Sequence, residues 1–382
     1  MIIKNADIFT GDGSFKKGNL HLQGAYIESV EIEEQAEQIG AACEGEEIID
    51  AEGLYVIPGL IDTHIHGCNG HDFCEGTKEA LDCMCNHLAT QGITAFLPTS
   101  MSLGENTLSD IFKHYGEYTY SGGALPVGIH MEGPFFDAEK KGAQNGNYLK
   151  TANTQLFRHL QELSNNGIKV VSVSPAADSK GSFIEEVKEE VAISLAHTGA
   201  KYELASEAFK KGAKRVTHLY NAMLPFSHRE PAVVGAAFDH KETMVELICD
   251  GVHVHPSMIR STFAMFTDER IILVSDNMMA AGMPDGSYEL GGQKVEVKGN
   301  KALLENGTIA GSVTNLMNCL RKAVEFGIPL ESAIKAATIN PAKSIGIEDK
   351  MGSLEAGKLA NVVLLDKDLQ IKAVIINGKK VQ

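Results

Sequence analysis

Histidines and carboxylates recur in this chain at the ends of short apolar runs. The residues in these positions are Asp62, His64, His66, His130, Glu132, His197, His218 and Asp276. Neutral imidazoles together with carboxylates are the ligand set of Zn²⁺ or a similar divalent metal ion. Alternate residues of a strand point to the same side, so the imidazoles of His64 and His66 can reach one point. The pattern therefore predicts a metal site.

A single histidine at a strand end is more often a hydrogen-bonded core or surface residue than a metal ligand. Ligand-type residues at the ends of several predicted strands are much harder to explain without a metal. The histidines that lack this placement are predicted to be ordinary surface or loop residues, and they are His21, His87, His114, His159 and His240. Cys68 and His71 lie just beyond the first run and are predicted to be loop residues without a role.

Eight apolar runs between residues 58 and 348 predict the strands that must position these side chains. The runs are LIDTHIH (60–66), ITAFLPT (93–99), PVGIHME (126–132), KVVSVS (169–174), ISLAH (193–197), RVTHL (215–219), MVELICD (244–250) and IILVSD (271–276). Amphipathic segments lie between them. A series of β-then-α units predicts an α/β protein with a (β/α)8 TIM barrel, whose C-terminal strand ends share one face. A doubly wound open sheet is the alternative, and the strand number does not exclude it.

The two ends of the chain have a different texture. Residues 1–57 and 349–382 consist of short strand-like runs broken by turns, with alternating apolar and polar residues. We expect them to form together one small, discontinuous β-sandwich domain. Residues 58–348 are then the catalytic barrel domain.

The composition limits the partners of the protein. With 34 Lys+Arg against 50 Asp+Glu in 382 residues, the formal net charge is −16. This charge argues against nucleic acid or an anionic membrane surface as the main partner. We expect no signal peptide and no membrane span, because the required apolar runs are missing from the sequence. The seven cysteines have no C-x-x-C spacing, so reduced thiols in a cytoplasm are expected.

The motifs resemble a known family. PGLIDTHIHG (58–67) resembles the first metal motif of the amidohydrolase superfamily of barrel hydrolases. Further segments resemble, in order along the chain, the family of N-acetylglucosamine-6-phosphate deacetylases. They are HMEGPFF (130–136), KKGAQN (140–145), AHTGA (196–200), THLYNAM (217–223), HREPAVVG (228–235), DGVHVHP (250–256), SDNMMAAGMPDG (275–286) and IAGSV (309–313).

The resemblance implies a reaction and its setting. The reaction is metal-dependent hydrolysis of the N-acetyl group of N-acetylglucosamine 6-phosphate, which gives glucosamine 6-phosphate and acetate. It would serve amino-sugar catabolism and cell-wall sugar recycling. The resemblance also implies a cytoplasmic homodimer whose active site lies close to the subunit interface. The implied metal is zinc, with one or two ions per subunit, and iron, manganese or cobalt are the alternatives.

Roles carried over from the family fall on individual residues. Glu132, His197 and His218 match the main metal ligands, and His64 and His66 match the ligands of a second metal. Asp276 matches the catalytic aspartate, which is also a metal ligand, and His253 the histidine that meets the substrate amide. The positions that match substrate-binding residues are Ala143, Gln144, Asn221, Ala222, Arg229, His253, Ile309, Ala310 and Gly311.

These roles imply a mechanism. Asp276 would take a proton from the attacking water and deliver it to the departing amine. His253 would stabilise charge on the acetyl oxygen as a hydrogen-bond donor. Arg229 offers the bidentate geometry that phosphate prefers.

Some positions bear on how closely the chain follows its family. In part of the family Gln and Asn replace the first histidine pair, and those members work with one metal. The presence of His64 and His66 therefore favours a site with two metals. Gln144 stands where some members have a histidine near the substrate, and Asn277 stands where a small residue is usual.

Two other functions stay open from the sequence. The same chemistry could act on the galactosamine epimer or on another N-acyl sugar phosphate. A non-catalytic barrel that binds a sugar phosphate is a third reading. It predicts the loss of a catalytic group, whereas Asp276 and every ligand position are filled.

Overall fold

The structure is a computed structural model that describes residues 1–32, 47–178 and 181–381. Cys43 and residues 33–46 of the predicted terminal domain lie outside the described residues. Five strands are described in residues 1–32 and 47–58, namely β1 (Ile2–Phe9), β2 (Phe15–Gln23), β3 (Tyr26–Ile32), β4 (Ile48–Asp50) and β5 (Tyr55–Pro58). β1 pairs with β2 antiparallel and with β4 and β5 parallel.

The next strands carry the predicted ligands. They are β6 (Leu60–Ile65), β7 (Gly67–Cys68), β8 (His71–Asp72), β9 (Ile93–Pro98), β10 (Leu125–Pro126), β11 (Ile129–Glu132), β12 (Ile168–Val173), β13 (Ala192–Leu195), β14 (Arg215–Val216), β15 (Met244–Ile248) and β16 (Ile271–Val274). A strand occurs within each of the eight predicted runs. β6 pairs in parallel with β9, and β11 to β16 form one parallel series.

Two further parallel pairs link these sheets. Thr99, directly after β9, pairs with His130 of β11, and Ile65 of β6 pairs with Asn277, which follows β16. The end of the first predicted run thus lies beside the end of the last one. The chain is an α/β protein in which the polar strand ends gather on one face.

Helices alternate with these strands along the chain. They are α1 (Lys78–Thr90), α2 (Glu105–Glu117), α3 (Thr154–Leu163), α4 (Ser182–Val187), α5 (Tyr202–Lys211), α6 (Ala232–Asp239), α7 (Pro256–Phe266), α8 (Leu316–Glu325), α9 (Leu330–Ala337) and α10 (Ile339–Ser344). Every helix in the described ranges is too short or too polar to span a bilayer.

The parallel strands are buried on both faces. In β15, Leu247 belongs to the large cluster formed with the helices, whereas Ile248 belongs to a small cluster with Ile272 and Val274 of β16. Because successive side chains of a strand point to opposite sides, the two clusters lie on opposite faces. This explains why the runs are continuously apolar rather than alternating.

An antiparallel meander follows β16. Its strands are β17 (Gly286–Leu290), β18 (Gln293–Lys298) and β19 (Lys301–Leu304). Its inner side chains pack with Met101 and Met278 in a cluster of their own. The sequence analysis assigned no strands to this segment.

Three last strands return to the N-terminal sheet. They are β20 (Val362–Leu365), β21 (Ile371–Ile376) and β22 (Lys379–Lys380). β20 pairs antiparallel with β5, which gives the sheet order β22-β21-β20-β5-β1-β2-β3. The two ends of the chain therefore share one sheet, with a separate apolar cluster on it.

Candidate metal centre

Three ligand-type side chains converge at the ends of strands that belong to one parallel sheet. Glu132 is the last residue of β11, His197 follows β13 and His218 follows β14. The Nε2 atoms of both histidines lie 3.1 Å from Oε1 of Glu132 and 3.1 Å from each other. All three residues are buried. Two imidazole nitrogens and a carboxylate oxygen at this spacing can hold one divalent ion.

A second group adjoins the first. Nε2 of His66 lies 3.2 Å from Oδ1 of Asp276, and Nε2 of His64 lies 3.5 Å from the same oxygen. Glu132 lies between the groups, because its Oε2 is 3.4 Å from Nε2 of His66. The six predicted metal-site residues therefore form one continuous cluster.

The residues fit a metal by an independent test. Nε2 of His64 is fully buried, and within the described structure it has no hydrogen-bond partner. A buried polar atom without a partner costs about 1–3 kcal/mol, so such atoms are rarely left unsatisfied. The neighbouring donor set of imidazole nitrogens and carboxylate oxygens suits a borderline divalent ion. The structure thus supports a divalent metal site here.

Strained backbone positions the ligands. His197, His218 and Asp276 have φ values of 43°, 29° and 49°, in the left-handed region that residues with a side chain seldom adopt. Such conformations cost about 1–3 kcal/mol each and persist where the surroundings impose them. For Asp276 the restraint is visible, because its N–H donates to the His64 carbonyl and its carbonyl accepts from Ser312 N–H.

The carboxylates and imidazoles of the cluster shift one another's pKa values. Burial alone would lower the pKa of His64, but the carboxylates of Asp276 and Glu132 outweigh it and raise this pKa well above its usual value. Burial raises the pKa of Asp276, whereas the imidazoles of His64 and His66 lower it, and the net shift is downward. Strong mutual attraction of this kind marks a site that stabilises cations beside carboxylates.

Two buried charges behind the cluster were missed from the sequence. Glu246 of β15 accepts from His64 Nδ1 at 2.9 Å and from Arg215 Nη2 at 2.6 Å. The available signal was a charged residue inside each of two apolar runs, which a buried strand carries only with a partner.

Two polar residues at the predicted strand ends, His130 and Asp62, form hydrogen bonds within the framework of strands. His130 has both ring nitrogens engaged, one with the Thr63 carbonyl at 3.0 Å and one with Ser172 Oγ at 2.7 Å. The Asp62 Oδ1 atom accepts from the N–H groups of His64 and Ser275, both at 3.3 Å.

A cavity of about 290 Å³ opens onto the metal-site residues. Most of the predicted substrate-binding residues line it, namely Ala143, Gln144, Asn221, Ala222, His253, Ile309 and Gly311. Two others do not line it. Ala310 is fully buried behind the wall, and Arg229 is exposed on the loop between β14 and α6. The meander supplies Leu290 as a further wall residue that the sequence analysis did not name.

The Gln144 side chain is turned toward the ligands. Its Nε2 donates to Oε2 of Glu132 at 2.8 Å, and its Oε1 accepts from Ser102 N–H at 2.7 Å. In this structure the amide therefore orients Glu132. The backbone carbonyl of Asn277 accepts from the N–H of His66 at 2.9 Å and so ties β6 to the end of β16, whereas nothing in the described structure explains why its side chain is an amide.

His253 is held by a carboxylate. Its Nδ1 lies 2.7 Å from Oδ2 of Asp250, and its side chain is 6% exposed. Burial lowers the pKa of His253, but Asp250 outweighs burial and raises it above the usual value. The ring thus tends to keep both N–H groups, one for Asp250 and one for the cavity.

Comparisons with known proteins agree with this geometry. Residues 55–381 match the Amidohydrolase family. The chain is 35% identical over 385 residues to N-acetylglucosamine-6-phosphate deacetylase of Bacillus subtilis, covering 99% of this chain and 96% of that protein. It is 35% identical over 334 residues to N-acetylgalactosamine-6-phosphate deacetylase of Escherichia coli O157:H7, covering 86% and 88%.

A solved structure is similar to this chain in fold. It is a mutant of N-acetyl-D-glucosamine-6-phosphate deacetylase from Mycobacterium smegmatis in complex with N-acetyl-D-glucosamine-6-phosphate. Its TM-score is 0.89 at 29% identity, covering 100% of this chain and 99% of that chain.

Proposed function

Because the chain belongs to the amidohydrolase family, we propose that it hydrolyses the N-acetyl group of N-acetylglucosamine 6-phosphate to glucosamine 6-phosphate and acetate. The observation that carries this function is the convergence of Glu132, His197 and His218 at 3.1 Å beside Asp276, on a cavity of about 290 Å³. The relatives named above act on this substrate or on its galactosamine epimer. The epimer is the second candidate, because the E. coli relative shares 35% identity.

Glu132, His197 and His218 are the residues proposed to hold the first ion, and His64, His66 and Asp276 those proposed to hold a second. Zinc suits these nitrogen and oxygen donors, and iron, manganese and cobalt use the same types. A divalent ion in such a site lowers the pKa of water from 15.7 to about 7 and polarises the carbonyl that is attacked.

The protein's own groups handle the protons. Asp276 lies at the edge of the cavity, where its carboxylate takes a proton from the attacking water and passes it to the departing nitrogen. In the protonated ring, His253 donates through Nε2 to the acetyl oxygen while its Nδ1–H donates to Asp250. Gln144 keeps Glu132 oriented through the 2.8 Å hydrogen bond between their side chains.

The phosphate needs local donors because the formal net charge is −16. Asn221 and Ala222 line the cavity, and Arg229 lies on the same loop. We expect Arg229→Ala to raise KM for the phosphorylated sugar with unchanged metal content, as measured by steady-state kinetics and elemental analysis. Parallel loss of metal and activity would contradict the phosphate role.

We also propose a two-domain architecture for the chain. The eight strands close into a (β/α)8 barrel over residues 58–348, and residues 1–57 and 349–382 form a small β-sandwich domain. Support for closure comes from the parallel pairs at Thr99–His130 and Ile65–Asn277. We further propose that the protein is a cytoplasmic homodimer. Sedimentation analysis of the purified protein tests the dimer. The six described cysteines are free thiols, as a reducing compartment requires.

The deciding experiment is acetate release by purified protein from three compounds. These are N-acetylglucosamine 6-phosphate, its galactosamine epimer and unphosphorylated N-acetylglucosamine, each before and after chelation, with metal content quantified. Chelator-sensitive turnover with the highest kcat/KM on the glucosamine phosphate is expected. Faster turnover of the epimer would transfer the assignment to the second candidate. No turnover by folded, metal-loaded protein would overturn the deacetylase function.

A further inference from the structure

We propose that Glu246, supported by Arg215, is a positioning residue that fixes the His64 imidazole so that its Nε2 atom faces the metal cluster. The inference rests on the proposed function, because it concerns the residues proposed to hold a second ion. Glu246 does not line the cavity and therefore acts through His64.

The contacts of Glu246 account for its whole carboxylate. Its side chain is 0% exposed, on a strand whose other residues are apolar. Oε2 accepts from Nδ1 of His64 at 2.9 Å and from the backbone N–H of His218 at 3.2 Å. Oε1 accepts from Nη2 of Arg215 at 2.6 Å. One carboxylate thus contacts a ligand residue of each proposed ion.

Arg215 is the buried ion-pair partner of this carboxylate. Its residue exposure is 1%, and besides Glu246 it donates to Thr63 Oγ1 at 3.1 Å. A guanidinium is always charged, and a buried charge is stable only beside an opposite charge with further hydrogen bonds. Glu246 therefore remains an acceptor on both oxygens.

An acceptor at Nδ1 determines the tautomer of His64. In the neutral ring, which is the form that can bind a metal, Nδ1 must carry the hydrogen, so the lone pair lies on Nε2, the atom that has no hydrogen-bond partner in the described structure. The neighbouring His130 provides the contrast, because Thr63 and Ser172 engage both of its ring nitrogens. The two histidines differ in function because their partners differ.

Glu246→Gln tests the assignment. The amide has one oxygen for three donors, namely Arg215, His64 and the backbone N–H of His218. If the oxygen faces Arg215, the amide N–H₂ faces Nδ1, and the hydrogen of His64 moves to Nε2. We expect the E246Q protein to bind one metal equivalent about 10–100-fold more weakly, with the other equivalent unchanged.

The measurement is a titration of Zn²⁺ into chelator-treated protein against a chromophoric competitor, with thermal unfolding recorded for each variant. Asp178→Asn is the matched control. Asp178 is also a buried carboxylate, but it accepts from the backbone of α4, away from the cluster. We expect this control to unfold at lower temperature and to bind both equivalents normally.

The double variant R215M/E246Q separates positioning from mere stability. Without Arg215 the amide oxygen is free to accept from His64, so the weakened equivalent should regain affinity although the buried ion pair is gone. If E246Q alone fails to fold, this variant carries the test, and two normal equivalents are expected of it.

Several outcomes would overturn the inference. They are unchanged zinc binding by folded E246Q, equal weakening of both equivalents, and no recovery in the double variant. Binding of one equivalent only by the unaltered protein would also overturn it, since no second ion would then depend on His64. Acetate release by the unaltered protein is measured in parallel, and its presence keeps the proposed function intact in each of these cases.

Discussion

Asp276 contacts a metal-site histidine and also borders the cavity. Its Oδ1 atom is 3.2 Å from Nε2 of His66. Asp276→Asn keeps the shape of the side chain and removes its capacity to accept and return a proton. Proton transfer of this kind contributes about 10²–10⁴-fold to rate. We expect kcat to fall by about that factor and KM to change much less, as measured on N-acetylglucosamine 6-phosphate.

Metal content must be measured on the same Asp276→Asn preparation. Full metal content with the lost kcat assigns the effect to proton transfer. A kcat within tenfold of the unaltered enzyme would contradict the role of Asp276 as acid and base.

The Asp250–His253 pair predicts a pH dependence. His253 can donate from Nε2 while Nδ1 donates to Asp250 only when the ring is protonated. Asp250 raises the pKa of His253, so activity is retained to higher pH and is lost as pH rises through this pKa. In Asp250→Asn, burial still lowers the pKa and the opposing carboxylate is gone. The alkaline limb of kcat/KM against pH should therefore move to lower pH.

A suitable control for this pH profile is Asp239→Asn. Asp239 is the exposed partner of Tyr202 on another face. An unchanged alkaline limb in Asp250→Asn would show that His253 does not donate as a cation.

At the level of residues, the sequence indicates ligand types better than ligand support. His64 and His66 could be predicted because strand geometry alone places alternate side chains together. Glu246 could not be paired with His64, because the two are 182 positions apart and meet only through the register of the sheet. The direction of the Gln144 amide likewise depends on the Ser102 backbone, which no local pattern specifies.

Among the elements, β15 shows how packing and chemistry divide along one strand. Leu247 is fully buried against the helices, one residue away from Glu246. Leu247→Ala removes apolar contacts and leaves a cavity, which costs about 2–5 kcal/mol of unfolding free energy. We expect this loss in denaturant unfolding, with two zinc equivalents retained by the folded protein.

The exposed Leu204 on α5 is the control for this substitution. Leu204→Ala should change stability by about 0.5 kcal/mol or less. A similar cost for both variants would show that Leu247 contributes no special packing.

The parallel strands between β6 and β16 could be predicted from the sequence, whereas the strands of the meander could not. Continuous apolar runs identified the buried parallel strands, because both of their faces are covered. β17, β18 and β19 are partly exposed, so their apolar signal is weak. The glycine pair Gly291–Gly292 and the turn at Gly299 are the hairpin signals that could have located them.

For the whole molecule, metal binding and folding should be linked. A ligand that binds only the folded state stabilises it, by about 4 kcal/mol when its free concentration is about 1,000 times Kd. We therefore expect chelation to abolish acetate release and to lower the unfolding temperature, and added zinc to restore both. Calorimetry of treated and reloaded protein measures the shift. An unchanged unfolding temperature after verified metal loss would contradict this linkage.

The sheet shared by both ends of the chain has a consequence for biosynthesis. β5 is translated long before its partner β20 leaves the ribosome. Tyr55 of β5 and Leu365 of β20, which pair with each other, are 310 positions apart, which at about 5–20 residues per second means a delay of roughly 15–60 s. During that interval the nascent chain exposes an open strand edge, which other chains can join. Protection by the ribosome or a chaperone would therefore matter most for β5.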